Sequence, residues 1–322
     1  MNVRVFIIVV AMVLFSLNLA AQPVPADDEN IPALVTFGRD GDTSWGDDDF
    51  IQIIFFSIPE DFEDPVYLRV FDPDVGGEFD EIKTEWNTRT NFSVYGGEGA
   101  CSDKDARRIE RDGNYRSGTL LASRTFGFEP RWDMEWYTFG PFNPREGELL
   151  PEYGGNVFKM VVEGLEGDDG NLYRLFLSTS PDENRPIEGA FAFYFKYTFR
   201  LHDDPGEVSH IYPYITDDVV AIKQSNFDWD HDGILRIISP SKNGEMMAVS
   251  GDDEWVSSTH TISDRDRNSS MDIQMIKCPD MAMRNNNVVI YLENQYGELM
   301  PFYSVPIGGI PRYEYSIGIR PN

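Results

Sequence analysis

The sequence predicts an all-β fold: two antiparallel β-sandwich domains, of jelly-roll or immunoglobulin-like type, in tandem behind a signal peptide. Three observations predict it. Short runs rich in Val, Ile, Phe, Tyr and Thr recur along the chain, several alternating in polarity as half-buried strands do. Clusters of Gly, Pro, Asn and Asp such as GDDGN, SPDENRP and PSKNGE separate them at short intervals, which is the turn chemistry of antiparallel sheets. No long stretch carries a 3.6-residue apolar stripe, and the best helical candidate, SDKDARRIER at Ser102–Arg111, is short and polar.

The elements follow in order. Arg4, the nearly uninterrupted apolar run Val5–Leu17 and the small residues Ala20–Ala21 make residues 1–21 a secretory signal peptide by pattern. Residues 22–30 are expected to form a flexible start of the mature chain. Strand-like runs then lie at Phe50–Ile58, Val66–Phe71, Thr90–Tyr95, Val157–Val162, Leu172–Leu177 and Ala190–Phe199, within a first domain over 31–200. The polar segment LHDDPGEVSH, residues 201–210, carries Pro and Gly and is the expected linker. A second domain over 211–322 contains the runs Ile234–Ile238, Asn287–Leu292 and Tyr313–Ile319. Phe71-Asp72-Pro73-Asp74 and Phe227-Asp228-Trp229-Asp230 share F-D-x-D, but their flanking strands do not align, so no internal repeat is read.

Composition narrows the function. The 322 residues hold 27 Lys+Arg against 55 Asp+Glu, a formal charge of -28, which excludes duplex nucleic acid as a partner because phosphates are repelled. With 41% hydrophobic and 13% aromatic residues the chain has the material for a core and is not disordered as a whole. Two cysteines exclude a CxxC-type zinc site. Export places Cys101 and Cys278 where a disulfide is permitted, and two buried thiols fit the sequence equally well. After the signal no apolar run reaches membrane length, so the mature chain is expected to be secreted, periplasmic or at the cell surface, with no transmembrane segment.

The acidic residues gather in glycine-containing turns. FDWDHDG supplies Asp228, Asp230 and Asp232, a sharp turn at Gly233 and the carbonyl of Ile234, the oxygen set that wraps one hard cation, Ca2+. This pattern resembles the opening of an EF-hand loop and the DxDxDG loops of dockerin and thrombospondin repeats. It departs from the EF-hand at the twelfth position, which is Ser239, and a strand-like run follows where a helix would stand. Remaining ligands must then come from elsewhere, with Asp217, Asp218, Asp252 and Asp253 as donors. A second cluster, FDPDVGGEFDE, offers Asp72, Asp74, Glu78, Asp80 and Glu81 behind a strand; GRDGDTSWGDDDF, with Asp40, Asp42 and Asp47–Asp49, would meet it at one end of a sandwich. That placement resembles C2-type calcium-binding β-sandwich modules, and the resemblance implies ions shared between separate Asp-rich loops.

Catalytic signals are sparse: HExxH, GxSxG and GxxxxGK[ST] are absent, and Ser258, His260 and Asp264 are merely close in sequence. Trp132, Trp136 and Tyr137 offer a stacking platform for sugar rings, and Trp229, between two aspartates, is expected to be exposed. The sequence therefore reads as an exported, non-catalytic binding or structural protein of the cell envelope or exterior, with calcium-stabilised acidic loops and a protein or glycan partner. The alternative is a carbohydrate-binding module or a secreted glycan-acting hydrolase using loop carboxylates.

Overall fold

The computed structural model describes residues 23–45, 50–108, 113–277 and 283–307. Residues 1–21, read as a signal peptide, Asp47–Asp49, Cys278 and the run Tyr313–Ile319 lie outside the described residues. The first part of the chain forms β1 (Pro23–Val24), β2 (Ala33–Phe37), β3 (Ile51–Pro59), β4 (Val66–Phe71), β5 (Arg89–Gly96), β6 (Thr119–Phe126), β7 (Trp136–Phe142), β8 (Glu148–Leu150), β9 (Gly155–Glu166), β10 (Gly170–Ser178) and β11 (Phe191–Tyr194). The second part forms β12 (Lys196–Arg200), β13 (Val208–Ile215), β14 (Ala221–Phe227), β15 (Ile234–Ile238), β16 (Asn243–Met247), β17 (Trp255–Thr261), β18 (Ser269–Ser270), β19 (Asp272–Ile276), β20 (Asn287–Asn294), β21 (Leu299–Met300) and β22 (Phe302–Tyr303). Lys104–Arg107, in the expected helical stretch, is one 3-10 turn. Among the described residues no helix is long and apolar enough to cross a membrane.

The protein is all-β, and its strands form two large antiparallel sheets. One runs β17-β14-β20-β12-β2-β10-β4-β7, the other β16-β15-β19-β13-β22-β11-β3-β9-β5-β6. Each order reads the same way from either outer edge inwards once strands are matched in chain order. β2, β3, β4, β5, β6, β7, β9, β10 and β11 occupy the positions that β12, β13, β14, β15, β16, β17, β19, β20 and β22 occupy in the second part. The molecule is therefore a topological duplication that the sequence had hidden. The matched strands β2 and β12 pair with each other antiparallel at the middle of one sheet, as do β11 and β22 in the other. A local two-fold axis produces this pairing.

The run Ala190–Phe199, read as one strand, breaks at Phe195: β11 joins one sheet and β12 opens the duplicate in the other. Residues 201–207 connect β12 to β13, while Val208, Ser209 and His210 of the expected linker belong to β13, and both sheets hydrogen-bond across the connection, through β12 with β20 and through β11 with β22. One apolar core fills the space between the sheets from Val24 to Phe302 and takes side chains from both parts. The period of two is visible in β3. Ile54, Phe56 and Ile58 face that core, while Ile51, Ile53 and Phe55 face a second cluster on the other side of the sheet, with Tyr95, Cys101 and Tyr153. Both faces of β3 are thus covered, which is why it is apolar apart from Gln52 and Ser57, both of them buried.

Shared ladders and a shared core make the two parts one cooperative unit. Calorimetry of the mature protein is expected to show a single transition whose van't Hoff and calorimetric enthalpies agree; two resolved transitions would contradict it.

Candidate metal centre

β14 ends at Phe227, and the chain leaves it through Asp228, Asp230 and His231, all in the left-handed region at φ of 56°, 52° and 54°. Aspartate tolerates this conformation better than most residues because its short polar side chain bonds locally. Trp229 points the other way. It is 2% exposed, stands edge-on to Phe199, and its Nε1 donates to the Val289 carbonyl at 3.3 Å. Contrary to the expectation of an exposed Trp229, the indole is an anchor in the core that fixes the aspartates on either side.

The turn is tied to the connection between β16 and β17. The His231 N–H donates to the Ser250 carbonyl at 2.8 Å, the Trp229 N–H to Ser250 Oγ at 3.1 Å, and the Asp253 N–H to Asp228 Oδ1 at 2.8 Å. These bonds bring Asp252 opposite the turn. One carboxylate oxygen from each of Asp228, Asp230 and Asp252 then lies within 4.8 Å of the others, close enough to hold a metal ion. Burial pushes the Asp228 carboxyl up to about 7, and the charges of Asp230, Asp252 and Asp253 add to the shift. Burial also raises Asp230, with Asp252 and Asp232 contributing. Oxygen-only donors from two loops, with a gradient from buried Asp228 to exposed Asp252, suit a hard cation that keeps some water ligands.

The other expected ligands fall elsewhere. Asp232 is buried on the far side of the turn, where Lys277 Nζ at 3.0 Å and Asn286 Nδ2 at 3.2 Å bind one of its oxygens. Ile234 already belongs to the β15 ladder, opposite Ile276. The backbone at Gly233 runs so close to the Ile276 carbonyl that an added Cβ would sit 2.1 Å from it, and this approach turns Asp232 inwards. Asp217 and Asp218 bond Asn268 and Thr216 at the opposite end of β14, seven residues and roughly 23 Å away at about 3.3 Å per residue. Asp253 meets Thr43 Oγ1 at 2.7 Å.

In the first part, Asp72 and Asp74 are fully buried at the end of β4. Asp72 Oδ1 accepts the Met134 N–H at 2.8 Å, and Asp74 Oδ2 the Glu129 N–H at 3.2 Å. Burial, with neighbouring carboxylates adding to it, raises Asp72 to about 7 and Asp74 to about 6. Glu78 is exposed. Asp80 caps the N–H groups of Gly76 and Leu172 at 2.8 and 2.6 Å, and Glu81 pairs with Arg200 at 2.7 Å. Asp40 accepts the Gly167 N–H and Asp42 the Ser44 hydroxyl. Asp80 and Glu81 nevertheless reach the second part, where they line a cleft of about 450 Å³ with Ser44, Asp228, Asp230 and Arg284.

Two further groupings bear on function. Ser258 Oγ lies 2.9 Å from His260 Nε2, and His260 Nδ1 lies 2.5 Å from Glu245 Oε1, a Ser-His-Glu chain in which Glu245 stands where sequence proximity had suggested Asp264. Ser258 Oγ also accepts Gln224 Nε2 and the Ala248 N–H, each at 3.1 Å, so its lone pairs are occupied and it is not poised as a nucleophile. The chain instead clasps the edge strand β16 to the edge strand β17 of the facing sheet. Trp132 and Tyr137 stand perpendicular to each other, 86° between planes, with the Arg124 guanidinium over both rings. They form no flat platform.

Fold and site together define an antiparallel two-sheet protein with an all-carboxylate cluster able to hold a metal ion. No protein-family model matches the chain, and no curated protein matches it in sequence. Among solved structures, it is similar to the structure of the Macrobrachium rosenbergii nodavirus at 9% identity, over 83% of this chain and 88% of that one, with a TM-score of 0.17. A score that low is no argument for a shared fold or role.

A carboxyl whose folded-state pKa exceeds its unfolded value near 4 holds its proton more tightly when folded, so stability is lost as pH rises from the unfolded pKa through the folded one. Asp72, Asp74 and Asp228 have this sign, with upper limits at about 7, 6 and 7. In chelator, the melting temperature is expected to fall between about pH 4 and pH 7. A flat or rising melting temperature over that interval would contradict the buried carboxylates.

Proposed function

We propose that this is an exported, non-catalytic β-sandwich protein of the cell envelope or exterior whose acidic turns bind calcium, and whose ordered loops present a surface to a protein or glycan partner. The Asp228, Asp230 and Asp252 triad carries this reading. Its donors are all hard oxygens, and calcium accepts irregular carboxylate sets with water completing six to eight ligands. The resemblance of FDWDHDG to DxDxDG calcium loops supports the ion's identity, with Asp252 in place of the third aspartate. Export is supported by the pattern of residues 1–21, and calcium at the millimolar level outside cells suits a site of only three protein carboxylates.

The mechanism is electrostatic. Three carboxylates drawn together from two loops repel one another, and part of that repulsion is felt in a desolvated setting. A divalent cation cancels it and locks the β14–β15 turn to the β16–β17 connection. Next to that connection, Trp255 is 41% exposed and supplies an apolar contact for a partner.

The chelated mature protein is expected to melt higher when calcium is added. At 100 times Kd the gain is about 2.7 kcal/mol, or roughly 5 °C for a chain of this size. An Asp228→Asn, Asp252→Asn double variant should lose the part of the gain due to this site. No shift at millimolar calcium would overturn the reading.

A further inference from the structure

The duplication extends to the acidic turns. β4 and β14 hold equivalent positions, and each ends in F-D-x-D: Phe71-Asp72-Pro73-Asp74 and Phe227-Asp228-Trp229-Asp230. β7 and β17 are also equivalent, and each opens on the tryptophan of a D-x-E-W sequence: Asp133-Met134-Glu135-Trp136 and Asp252-Asp253-Glu254-Trp255. The two sequences meet in the same way in both parts. Phe71 is in register with Trp136 and Phe227 with Trp255, their rings 5.3 and 5.1 Å apart. Asp72 and Asp228 share φ of 56°, and Met134 and Asp253 are both left-handed. Each first aspartate accepts the N–H of that left-handed residue at 2.8 Å. Three residues into each turn, the Val75 N–H bonds the Gly127 carbonyl and the His231 N–H bonds the Ser250 carbonyl. By this correspondence Asp133 is the counterpart of Asp252.

A second, independent observation lies in the first part alone. Asp72 Oδ2, Asp74 Oδ1 and Asp133 Oδ1 are buried and have no protein hydrogen-bond partner. Asp72 and Asp74 are 0% exposed, and Asp133 is half-buried. Asp133 Oδ1 lies against the same turn, 2.3 Å from where a Cβ on Gly77 would stand, and only the absence of a side chain there leaves it room. Unpartnered buried carboxylate oxygens are costly, and a cation is the partner that satisfies several at once.

We infer that the first part carries a second calcium site, formed by Asp72, Asp74 and Asp133 as the counterparts of Asp228, Asp230 and Asp252; the latter three bring one oxygen each within 4.8 Å of the others, whereas the former lie farther apart and would have to close around the ion. The inference rests on reading the latter triad as a calcium site. The two ions are separate. Five strand positions, each about 4.8 Å, place β4 and β14 roughly 24 Å apart, and after five antiparallel steps the strands run in opposite directions. Followed through the ladders between them, both turns leave the sheet at the same level along the strands and are separated across it.

The test is stoichiometry. Calcium-stripped mature protein, dialysed against millimolar calcium chloride, should hold two ions at these turns, seen as the loss of one ion in D72N/D133N and of one in D228N/D252N. Circular dichroism in chelator checks that each variant is folded. If D72N/D133N does not fold, D133N alone, at a half-buried position, should weaken the first site at least tenfold. A D72N/D133N or D133N variant that binds as the parent does, with D228N/D252N losing one ion, overturns this inference and leaves the proposed calcium function standing. Absence of binding in the parent overturns both.

Discussion

The central ladders at the local two-fold axis hold the molecule in its present form. Phe199 and Arg200 pair with Leu34 and Ala33 in one sheet, and Phe193 and Tyr194 with Tyr303 and Phe302 in the other. Without them each part would present open edges on β2 and β11, or on β12 and β22, with unpaired backbone groups and exposed apolar side chains. Pairing matched edges satisfies both parts at once and lets a single core run through. Among the described residues it leaves exposed edges at the two outer flanks, and the duplicates close these differently. Around β6 and β7, Arg124 lies over Phe126, Trp132 and Tyr137. Around β16 and β17, Glu245, His260 and Ser258 make a polar clasp. The aromatic group that suggested a sugar platform and the Ser258-His260-Glu245 chain are thus two solutions to one structural problem.

The acidic turns follow from the same architecture. A strand that leaves one sheet for the other must turn sharply over the core, and F-D-x-D accomplishes this with a left-handed aspartate and a buried residue at the variable position, Pro73 in one part and Trp229 in the other. Anchoring that residue in the core forces the carboxylates into a partly desolvated pocket. The aspartates resist ionisation there, as the raised pKa values of Asp72 and Asp228 record.

The strands were legible because their side chains are: β4 and β15 match their sequence runs residue for residue. The break in Ala190–Phe199 was not: Lys196 follows Phe195 directly, but a single lysine between aromatic residues does not mark the point where the chain changes sheets. F-D-x-D was legible as a motif but not as a repeat. Asp133 follows Asp74 much farther along the chain than Asp252 follows Asp230, because the connections between β4 and β6 are long in the first part. Spacing therefore hides an equivalence that strand order keeps. Asp252 was within reach as a donor, whereas the diversion of Asp232 to Lys277 depends on a strand distant in sequence. Asp217 and Asp218 were excluded only once β14 placed them at its other end.

The two triads differ in the one respect that governs exchange. Asp252 is exposed, whereas Asp133 is half-buried and wedged against Gly77. A cation at Asp228, Asp230 and Asp252 would keep contact with solvent and with whatever approaches Trp255, so on the proposed reading its binding would be coupled to that surface. A cation at Asp72, Asp74 and Asp133 would sit against two buried carboxylates and one half-buried one, and its binding would be coupled to folding because the unfolded chain does not bring them together. On the proposed reading, unequal connections separate the roles of the duplicated motif: one copy would consolidate the fold, and the other would stay open enough to respond to calcium.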